Sequence, residues 1–294
     1  MDDVIPEIGP WSVLKNEIID SYTDVYLQIL LSQPWCEATL YVDAFAGAPE
    51  NTDRSTGQVV PGSATRALSK SPGFSEYYFI DTDEDRIRGL GRLAEDKSNV
   101  SLFHDDANEV LRRIVIPRLN EDSSCRGFVW LDPYSLELTW DVVQRLGNTR
   151  RADVAINFPI MDILRNPLRR NYSDVTASQA ARMTAWWGDN SWIEQFFSLS
   201  PKIDLWGDRA SVRMPSHKEI AAAYRDRLLR IGGYQYATDP HPITNSKNGP
   251  LYYLLLASNN STAVKVMNDI FKRKKHASKQ PGSRQTGMKL WSDI

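Results

Sequence analysis

Five short apolar runs recur through the first 160 residues of the chain, and they constrain its fold more than any other feature. They are 39–45, 76–81, 99–104, 127–132 and 152–158. Longer segments with helical character separate them, so consecutive strands are joined by crossovers rather than by tight turns. Runs that are apolar almost throughout are typical of strands covered on both faces. The pattern therefore predicts an α/β protein with a mostly parallel sheet.

The segments around these runs predict helices. Residues 11–33 place apolar side chains, beginning with Leu14 and Ile18, at three- and four-residue spacings, and Pro34 ends this stripe. Three further helices are predicted in the gaps between strands, at 84–95, 107–119 and 139–148. The segment 48–62 is polar and contains Gly and Pro, so we expect a loop there, followed by a helix capped near Ser63.

The alternation of strands and helices breaks at 160–215. This stretch is rich in Trp, Arg, Asn and Met, has no strand pattern, and predicts a helical insertion. An amphipathic helix over 216–231 follows and is ended by Gly232. Two last strands are predicted around 234–244 and 251–257, and their short connection makes them antiparallel.

The sheet is thus predicted to have seven strands, five of them parallel and two in a terminal antiparallel hairpin. The corresponding division of the chain has one domain in two parts, at 1–159 and 216–270, with the insertion 160–215 between them. A basic tail at 271–294 completes it, with seven Lys or Arg residues against one Asp. This tail is either solvated without a partner or a contact for a nucleic-acid backbone.

Composition excludes several classes of protein. The formal net charge of −2 provides no overall field that would draw the chain to nucleic acid or to an anionic membrane. Cys36 and Cys125 are too few for a disulfide framework and form no CxxC pair. The N-terminal residues lack an apolar signal core, and the apolar runs are far below the roughly 20 residues of a membrane-spanning helix. The four histidines share no metal-ligand spacing. We expect a cytoplasmic protein with no membrane span and no metal site.

Acidic residues stand at the ends of the first three predicted strands. Asp43 closes the first, Asp81 closes the second, and Asp105 and Asp106 follow the third. Ligands of open parallel sheets bind outside the carboxyl ends of the strands, where the strand order reverses. Carboxylates accept hydrogen bonds from ribose hydroxyls and exocyclic amines, whereas they repel phosphate. The small residues after Asp43, which end at Gly47, let the backbone approach a ligand closely.

These acids favour an adenosine-containing ligand without phosphates. The alternative is that single acids at strand ends cap the helices that follow. A dinucleotide fold is disfavoured because the chain contains no GxGxxG motif, and a P-loop is disfavoured because it contains no GxxxxGK[ST] motif. No GxSxG sequence supports a serine hydrolase.

The fourth strand ends in Asp132, Pro133 and Tyr134. This sequence resembles the D/N-P-P-Y/F motif of amino-group methyltransferases, with one Pro missing. In that motif the acidic or amide side chain and a backbone carbonyl accept hydrogen bonds from the target amine, and the aromatic ring stacks on the flat base. Such contacts catalyse mainly by positioning. The alternative is a Pro-Tyr turn that packs on the core.

Two other segments are candidates for contact with a substrate. Asn157 lies in Asn-Phe-Pro at the end of the fifth strand, a sequence that also suits a plain strand exit. The insertion carries Arg165, Arg169 and Arg170, which suit phosphate contacts. It also carries Trp186, Trp187 and Trp192, which suit base stacking or, as the favoured interpretation, the core of a helical lid.

With these residues the chain resembles the three-Cys-motif partner protein family (TcmP). The resemblance runs from about residue 9 to residue 275. It rests on YVDAFAGAP, PGSATRAL, YYFIDTDEDR, DDAN, FVWLDPYSLELTW, INFPIMDILRNPLRRN, WWGD and ITNSKNGPLYYLLLASNN. The family is named after a neighbouring protein with a cysteine motif similar to that of radical S-adenosylmethionine enzymes. The resemblance implies such a protein as partner.

The same segments are similar to class I S-adenosylmethionine-dependent methyltransferases, which implies a Rossmann-like fold. The DAFAG sequence resembles the first motif of that class, and this places Asp43, Phe45 and Gly47 near the methionine end of the cofactor. By the same resemblance Asp81 holds the ribose hydroxyls. The remaining residues it implies are Asp106 and Ala107 at the adenine, and Asp132, Pro133 and Tyr134 at the methyl acceptor.

The leading functional prediction is an S-adenosylmethionine-dependent methyltransferase that acts on an amino group of a nucleobase in nucleic acid. The runner-up is a non-catalytic or cofactor-sensing partner of the three-Cys-motif protein, favoured by the missing second Pro after Asp132. A third alternative is an adenosine-binding enzyme of other chemistry, for which the sequence provides no metal cluster.

Overall fold

The computed structural model describes residues 5–199, 211–245 and 247–277. In chain order the strands are β1 (Glu7–Ile8), β2 (Ala38–Asp43), β3 (Glu50–Asp53), β4 (Val59–Pro61), β5 (Glu76–Asp81), β6 (Val100–His104), β7 (Cys125–Leu131), β8 (Ala152–Phe158), β9 (Phe197–Leu199), β10 (Ser211–Arg213), β11 (Tyr236–Ala237), β12 (His241–Thr244) and β13 (Pro250–Ser258).

The helices are α1 (Pro10–Leu31), α2 (Ser63–Leu68), α3 (Glu84–Leu93), α4 (Ala107–Val110), α5 (Ile116–Glu121), α6 (Trp140–Thr149), α7 (Ile160–Arg165), α8 (Ala177–Trp187), α9 (Ser191–Phe196), α10 (His217–Arg230) and α11 (Ser261–Ala277). A π-helical stretch, Leu111–Val115, joins α4 to α5, and Tyr172–Asp174 forms a 3₁₀ turn. None of the helices in the described part of the chain is long and apolar enough to cross a membrane.

The central sheet has the strand order β6–β5–β2–β7–β8–β13, with β11 and β12 along the outer side of β13. Strands β6, β5, β2, β7 and β8 are parallel. Strand β13 is antiparallel to β8 and to both β11 and β12. The order reverses between β2 and β7, the kind of position at which open α/β sheets bind ligands. The predicted α/β class, with a Rossmann-like and mostly parallel sheet and an antiparallel terminal part, is therefore confirmed.

The five predicted parallel strands lie within two residues of their expected bounds. The sixth predicted strand, 234–244, is divided into β11 and β12, so the sheet has eight strands instead of seven. The interruption includes Pro240, which has no N–H to donate to β13. The connection stays bonded to the sheet through Thr238, whose backbone N–H donates to the carbonyl of Leu256 (2.9 Å).

Two expectations about irregular segments were wrong. The predicted loop 48–62 contains β3 and β4, which pair with each other and with β1. Asp53 accepts hydrogen bonds from Ser55 and Thr56 and thereby closes the turn between these strands. The insertion, predicted to be purely helical, contains the antiparallel pair β9 and β10. All four strands have only three or four residues, too few to show the apolar pattern on which the prediction depends.

Two helix boundaries also differ from expectation. Helix α2 has Gly62 at its N-cap position, not Ser63, and no side chain caps it. The Ser63 hydroxyl instead donates to the carbonyl of Ala46 (3.3 Å). Helix α11 continues to Ala277, past the predicted start of the basic tail at 271, and residues 278–294 lie outside the described part of the chain. The predicted domain limits remain predictions.

Two apolar clusters occupy the two faces of the central sheet. One contains residues of α1, α2, α3 and α11, and the other contains residues of α4 to α10. Trp186, Trp187 and Trp192 of the insertion belong to the second cluster and are at most 1% exposed. The preferred interpretation of these tryptophans as core residues is therefore confirmed.

Helix α1 is attached to the amino edge of the sheet through a carboxylate. The hydroxyl of Tyr22 donates to Asp153 Oδ2 (2.6 Å), and the hydroxyl of Ser258 donates to Asp153 Oδ1. Burial raises the pKa of Asp153, while the two hydroxyls and Arg126 oppose the rise. One turn later on α1, the buried hydroxyl of Tyr26 has no hydrogen-bond partner among the described residues.

Tyr22→Phe should lower the free energy of unfolding by about 1–3 kcal/mol, because it removes one of two donors from a carboxylate inside the fold. Tyr26→Phe is the matched control on the same helix. It should leave stability nearly unchanged, because the Tyr26 hydroxyl forms no hydrogen bond with the described residues. Urea denaturation at neutral pH measures both. Equal losses in the two variants would contradict the assignment.

Candidate functional site

The carboxyl ends of β2, β5 and β7 bring three of the predicted acids to one edge of the sheet. Asp43 on β2 lies beside Phe79 of β5 and Trp130 of β7 in the strand register. After Asp43, the Ala44 N–H donates to the carbonyl of Trp130 (3.0 Å), and the Ala46 N–H donates to the carbonyl of Ile80 (2.9 Å). The loop that leaves β2 is therefore bonded to both neighbouring strands, and it links Asp43 to the positions of Asp81 and Asp132.

Asp43 is fully buried and only partly satisfied. Its Oδ1 accepts a long hydrogen bond from the Phe45 N–H (3.4 Å), whereas the buried Oδ2 accepts none from the described residues. Burial raises the pKa of Asp43 to about 7, and the charges of Asp132 and Asp81 add to this rise. The Ser63 hydroxyl, which lies nearby but donates to the Ala46 carbonyl, and the Phe45 N–H oppose it. A buried carboxylate oxygen without a donor is suited to an incoming ammonium or hydroxyl group.

Gly47 and Asp81 form the centre of the predicted cofactor loop. Gly47 has a φ of +66°, which glycine adopts without strain, and a Cβ at this position would meet no atom within 4 Å. Its N–H donates to Asp81 Oδ2 (2.8 Å), and Asp81 Oδ1 accepts the N–H of Asp83 (2.9 Å). The guanidinium of Arg86 lies 3.4 Å from Oδ2. Asp81 thus holds the glycine loop in place and leaves open space beside it.

Asp106 caps helix α4, which is the alternative role considered above for acids at strand ends. Its Oδ1 accepts the N–H groups of Asn108 (2.9 Å) and Glu109 (3.2 Å), and the side chain is exposed. Its Oδ2 accepts no hydrogen bond from residues in the described ranges. Ala107 is buried behind it, and Phe45 is partly buried against the core. Neither Asp43 nor Asp81 caps a helix.

Asp132 is held by a lysine that the sequence did not single out. The Nζ of Lys15 lies 2.6 Å from both carboxylate oxygens of Asp132, and the amide Nδ2 of Asn157 donates to Oδ1 (2.7 Å). The Lys15 side chain is 8% exposed, and its ammonium lies 5.8 Å from the ring centroid of Trp130 and 5.3 Å from that of Tyr252. The predicted acceptor acid is therefore part of a largely buried ion pair.

Tyr134 projects from the same loop into solvent. Its side chain is 88% exposed, whereas Pro133 before it is buried. The buried Asn108 fixes the end of this loop. Its Nδ2 donates to the carbonyl of Glu137 (2.8 Å), and its Oδ1 accepts the Thr139 N–H (2.8 Å). An aromatic ring exposed on a rigid loop is a surface on which a flat group can stack.

Ser135 connects this loop to the insertion. Its hydroxyl donates to Asp162 on α7 and accepts a hydrogen bond from the guanidinium of Arg182 on α8 (2.7 Å). Arg165, Arg169 and Arg170 are exposed, and they form no ion pair with an acidic residue of the described ranges. The structure thus places these arginines at the surface of the segment that follows β8.

Sequence reasoning missed Lys15, Ser135 and Arg182. A signal for Lys15 was present, because it stands three and four residues before Ile18 and Ile19 on the buried stripe of α1. The prediction assigned the start of this stripe to Leu14, which is only partly buried. A lysine at a buried stripe position calls for an acidic partner, since an unpaired buried ammonium is costly.

We expect a pH-dependent stability from Asp43. A carboxyl whose pKa is higher in the folded than in the unfolded chain favours folding while it is protonated, and this contribution is lost as pH rises from about 4 to about 7. Asp43→Asn should flatten that decline, by a difference on the order of 4 kcal/mol between pH 4 and pH 8. Urea unfolding across this range measures it, and superimposable pH profiles would contradict the assignment.

The comparisons with known proteins concern the fold. No family model and no curated protein sequence matches the chain, so membership of the three-Cys-motif partner family stays a prediction.

A Legionella pneumophila protein of a family of unknown function matches with a TM-score of 0.47 at 12% identity, over 90% of this chain and 92% of its own. An S-adenosylmethionine-dependent methyltransferase from Mesorhizobium loti matches with a TM-score of 0.37 at 11% identity, over 82% of this chain and 99% of its own. One from Clostridium acetobutylicum matches with a TM-score of 0.35 at 10% identity, over 83% and 92%. These are weak similarities of overall fold, and they assign no cofactor or substrate to this chain.

Proposed function

We propose that this chain is an S-adenosylmethionine-dependent methyltransferase that acts on an exocyclic amine of a nucleobase in nucleic acid. The observation that carries the proposal is the adjacency of two loops at the carboxyl edge. The loop with Asp43 and Gly47 leaves β2, and the loop with Asp132 and Tyr134 leaves the neighbouring strand β7. Because β2 and β7 are adjacent strands, a cofactor bound to the first loop and a flat acceptor bound to the second lie side by side.

The groups at this edge fit the cofactor. When bound, S-adenosylmethionine supplies an electrophilic methyl group. Asp43 Oδ2 has no donor among the described residues and suits the ammonium of the methionine part, and the space beside Gly47 admits the chain of that part. On Asp81 a backbone N–H group fills one acceptor position of each oxygen, and the exposed Arg86 makes only long contacts to both oxygens (3.4 and 3.5 Å), so ribose hydroxyls that displace Arg86 can bind there. Asp106 Oδ2, beside Ala107, suits the adenine amine.

The acceptor side is suited to orient an amine. Oδ1 of Asp132 accepts from both Lys15 and Asn157, and Oδ2 accepts from Lys15 alone. One acceptor position therefore remains on Oδ2 for the N–H of a substrate amine. With the base stacked on Tyr134, this hydrogen bond and the Pro133 carbonyl aim the nitrogen lone pair at the methyl group. The side chains contribute by positioning, and the fixed Asp132 loses little entropy in doing so.

The exposed arginines support a nucleic-acid substrate. Arg165, Arg169 and Arg170 follow β8, the strand next to the acceptor loop, and have no acidic partner in the described ranges. Free guanidinium groups suit phosphate contacts that position a strand without reading its sequence. A target base within a duplex has to leave its stack to reach Tyr134.

Cofactor binding is the first test. Wild-type protein should bind S-adenosylhomocysteine in isothermal calorimetry, and Asp81→Ala should weaken binding by about 100-fold, because it removes charged acceptors from the ribose. Asp85→Asn is the control, since it removes an exposed acid that pairs only with Arg88. Absence of binding to the wild type, or equal binding to Asp81→Ala, refutes the cofactor assignment.

Methyl transfer is the second test. Radiolabelled S-adenosylmethionine is incubated with single-stranded DNA and RNA oligonucleotides, and incorporation is measured for the wild type and two variants of Tyr134. Tyr134→Ala should lower incorporation about 10- to 100-fold because it removes the stacking surface, and Tyr134→Phe should keep activity because it retains the ring. Equal activity of the two variants would contradict the stacking role.

A second candidate function is favoured by the ion pair at Asp132. Because Lys15 and Asn157 fill three of the four acceptor positions of this carboxylate, the loop also suits a cofactor-sensing module without transferase activity, in a complex with a three-Cys-motif protein. Co-purification with that partner that is unchanged in Asp132→Asn, without methyl transfer by the isolated chain, supports this candidate. Transfer by the isolated chain rejects it.

A further inference from the structure

The amino edge of the central sheet, opposite the candidate cofactor edge, carries a groove of about 440 Å³. It lies where β7 and β8 begin and where β13 ends. Strand β8 has seven residues, so the two edges are about 20 Å apart. The groove is therefore separate from the loops that hold Asp43 and Tyr134.

Three arginines line this groove, and none of them forms an ion pair with a carboxylate in the described part of the chain. Arg126 donates to the carbonyls of Ser123 (2.9 Å) and Cys125 (2.8 Å), and Arg151 donates to the carbonyl of Ser123 (2.6 Å). Arg150 is exposed. Arg126 and Arg151 are thus positioned by backbone oxygens. Asp153 also lines the groove, and burial raises its pKa while Arg126 opposes the rise, but this buried carboxylate accepts from Tyr22 and Ser258 and forms no ion pair with the three arginines.

The groove also has an exposed aromatic surface. Trp35 is 48% exposed, and the guanidinium of Arg126 lies 4.5 Å from the centroid of its ring. A half-exposed indole beside a guanidinium is a surface on which a base stacks next to a phosphate.

Two further features of the groove wall point to a ligand. Helix α11, with 17 residues, begins at Ser261 in this wall, which brings the positive end of its dipole to the groove, although Asn260 Oδ1 already accepts the Thr262 N–H of the first turn (3.0 Å). Tyr26, which is 7% exposed, also lines the groove, and its hydroxyl is buried without a hydrogen-bond partner among the described residues.

We propose that this groove binds a nucleotide unit, with its phosphate held by Arg126, Arg150 and Arg151 and its base stacked on Trp35. The phosphate meets charge-assisted donors and a helix N-terminus, and the volume lies within the roughly 300–1,000 Å³ of small-molecule sites. The site goes beyond the proposed methyl transfer and does not depend on it. The unit is either a free nucleotide or part of a single strand.

The experiment uses uridine monophosphate, because the candidate cofactor edge is suited to adenosine. Calorimetry at low salt compares this nucleotide with inorganic phosphate. In Arg150→Asn/Arg151→Gln, where Asn tolerates the left-handed backbone at position 150 (φ 56°), binding of both probes should fall at least about tenfold. Trp35→Ala should weaken the nucleotide about tenfold and leave inorganic phosphate unchanged. Arg88→Gln, which removes an exposed arginine outside the groove, should bind like the wild type.

Nucleotide binding that survives both groove variants, or that is no tighter than binding of inorganic phosphate, overturns the proposal. A 5′-phosphorylated oligouridine distinguishes the source of the unit. Binding more than tenfold tighter than the mononucleotide identifies a strand, and equal binding identifies a free nucleotide. The affinity for S-adenosylhomocysteine should be unchanged in the same variants. The proposal for the groove and the proposal for the cofactor edge are therefore tested independently.

Discussion

The carboxyl edge of this protein depends on the ion pair between Lys15 and Asp132. An ammonium that is 8% exposed is tolerated only with a close counter-charge, and Asp132 provides it through both oxygens. The pair fixes the first turns of α1 over the end of β7, and Asn157 extends the contact to β8. The rings of Trp130 and Tyr252 lie beside the ammonium. The loop that carries Asp132 is therefore tied to both α1 and β8.

The two edges of the sheet have opposite chemistry, and the topology explains part of the difference. Helices that follow parallel strands begin at the carboxyl edge, where Asp83 and Asp106 cap α3 and α4. Strand β13 runs in the opposite direction, so α11 begins at the amino edge instead. That reversal brings a helix N-terminus to the groove that Arg126, Arg150 and Arg151 line. Within the described residues, Asp43 with its unpartnered buried oxygen lies at the carboxyl edge, and three arginines without an ion-pair partner lie with Asp153 at the amino edge.

Much of the fold was predictable because buried parallel strands are apolar almost throughout. This applies to β2, β5, β7 and β8, and it placed Asp43, Asp81 and Asp132 at one edge; β6 is a partly buried edge strand that its apolar residues and position after a helix still made recognisable. The strands that were missed have no such pattern. Strands β3 and β4 depend on the turn that Asp53 closes, and β9 depends on its pairing with β10 across residues 200–210. The division of the sixth predicted strand follows from the missing N–H of Pro240.

The sequence by itself determined where the strands end and therefore which acids line the carboxyl edge, because both follow from the local apolar pattern. Only the tertiary structure decided what each acid does. Asp106 caps a helix, and Asp81 holds the Gly47 loop. Asp43 keeps a buried oxygen that accepts nothing from the described residues, and Asp132 pairs with a lysine 117 residues away. Burial and charge environment are set by side chains from distant parts of the chain. The sequence pattern therefore predicts at which edge of the sheet a carboxylate lies, but not which groups surround it.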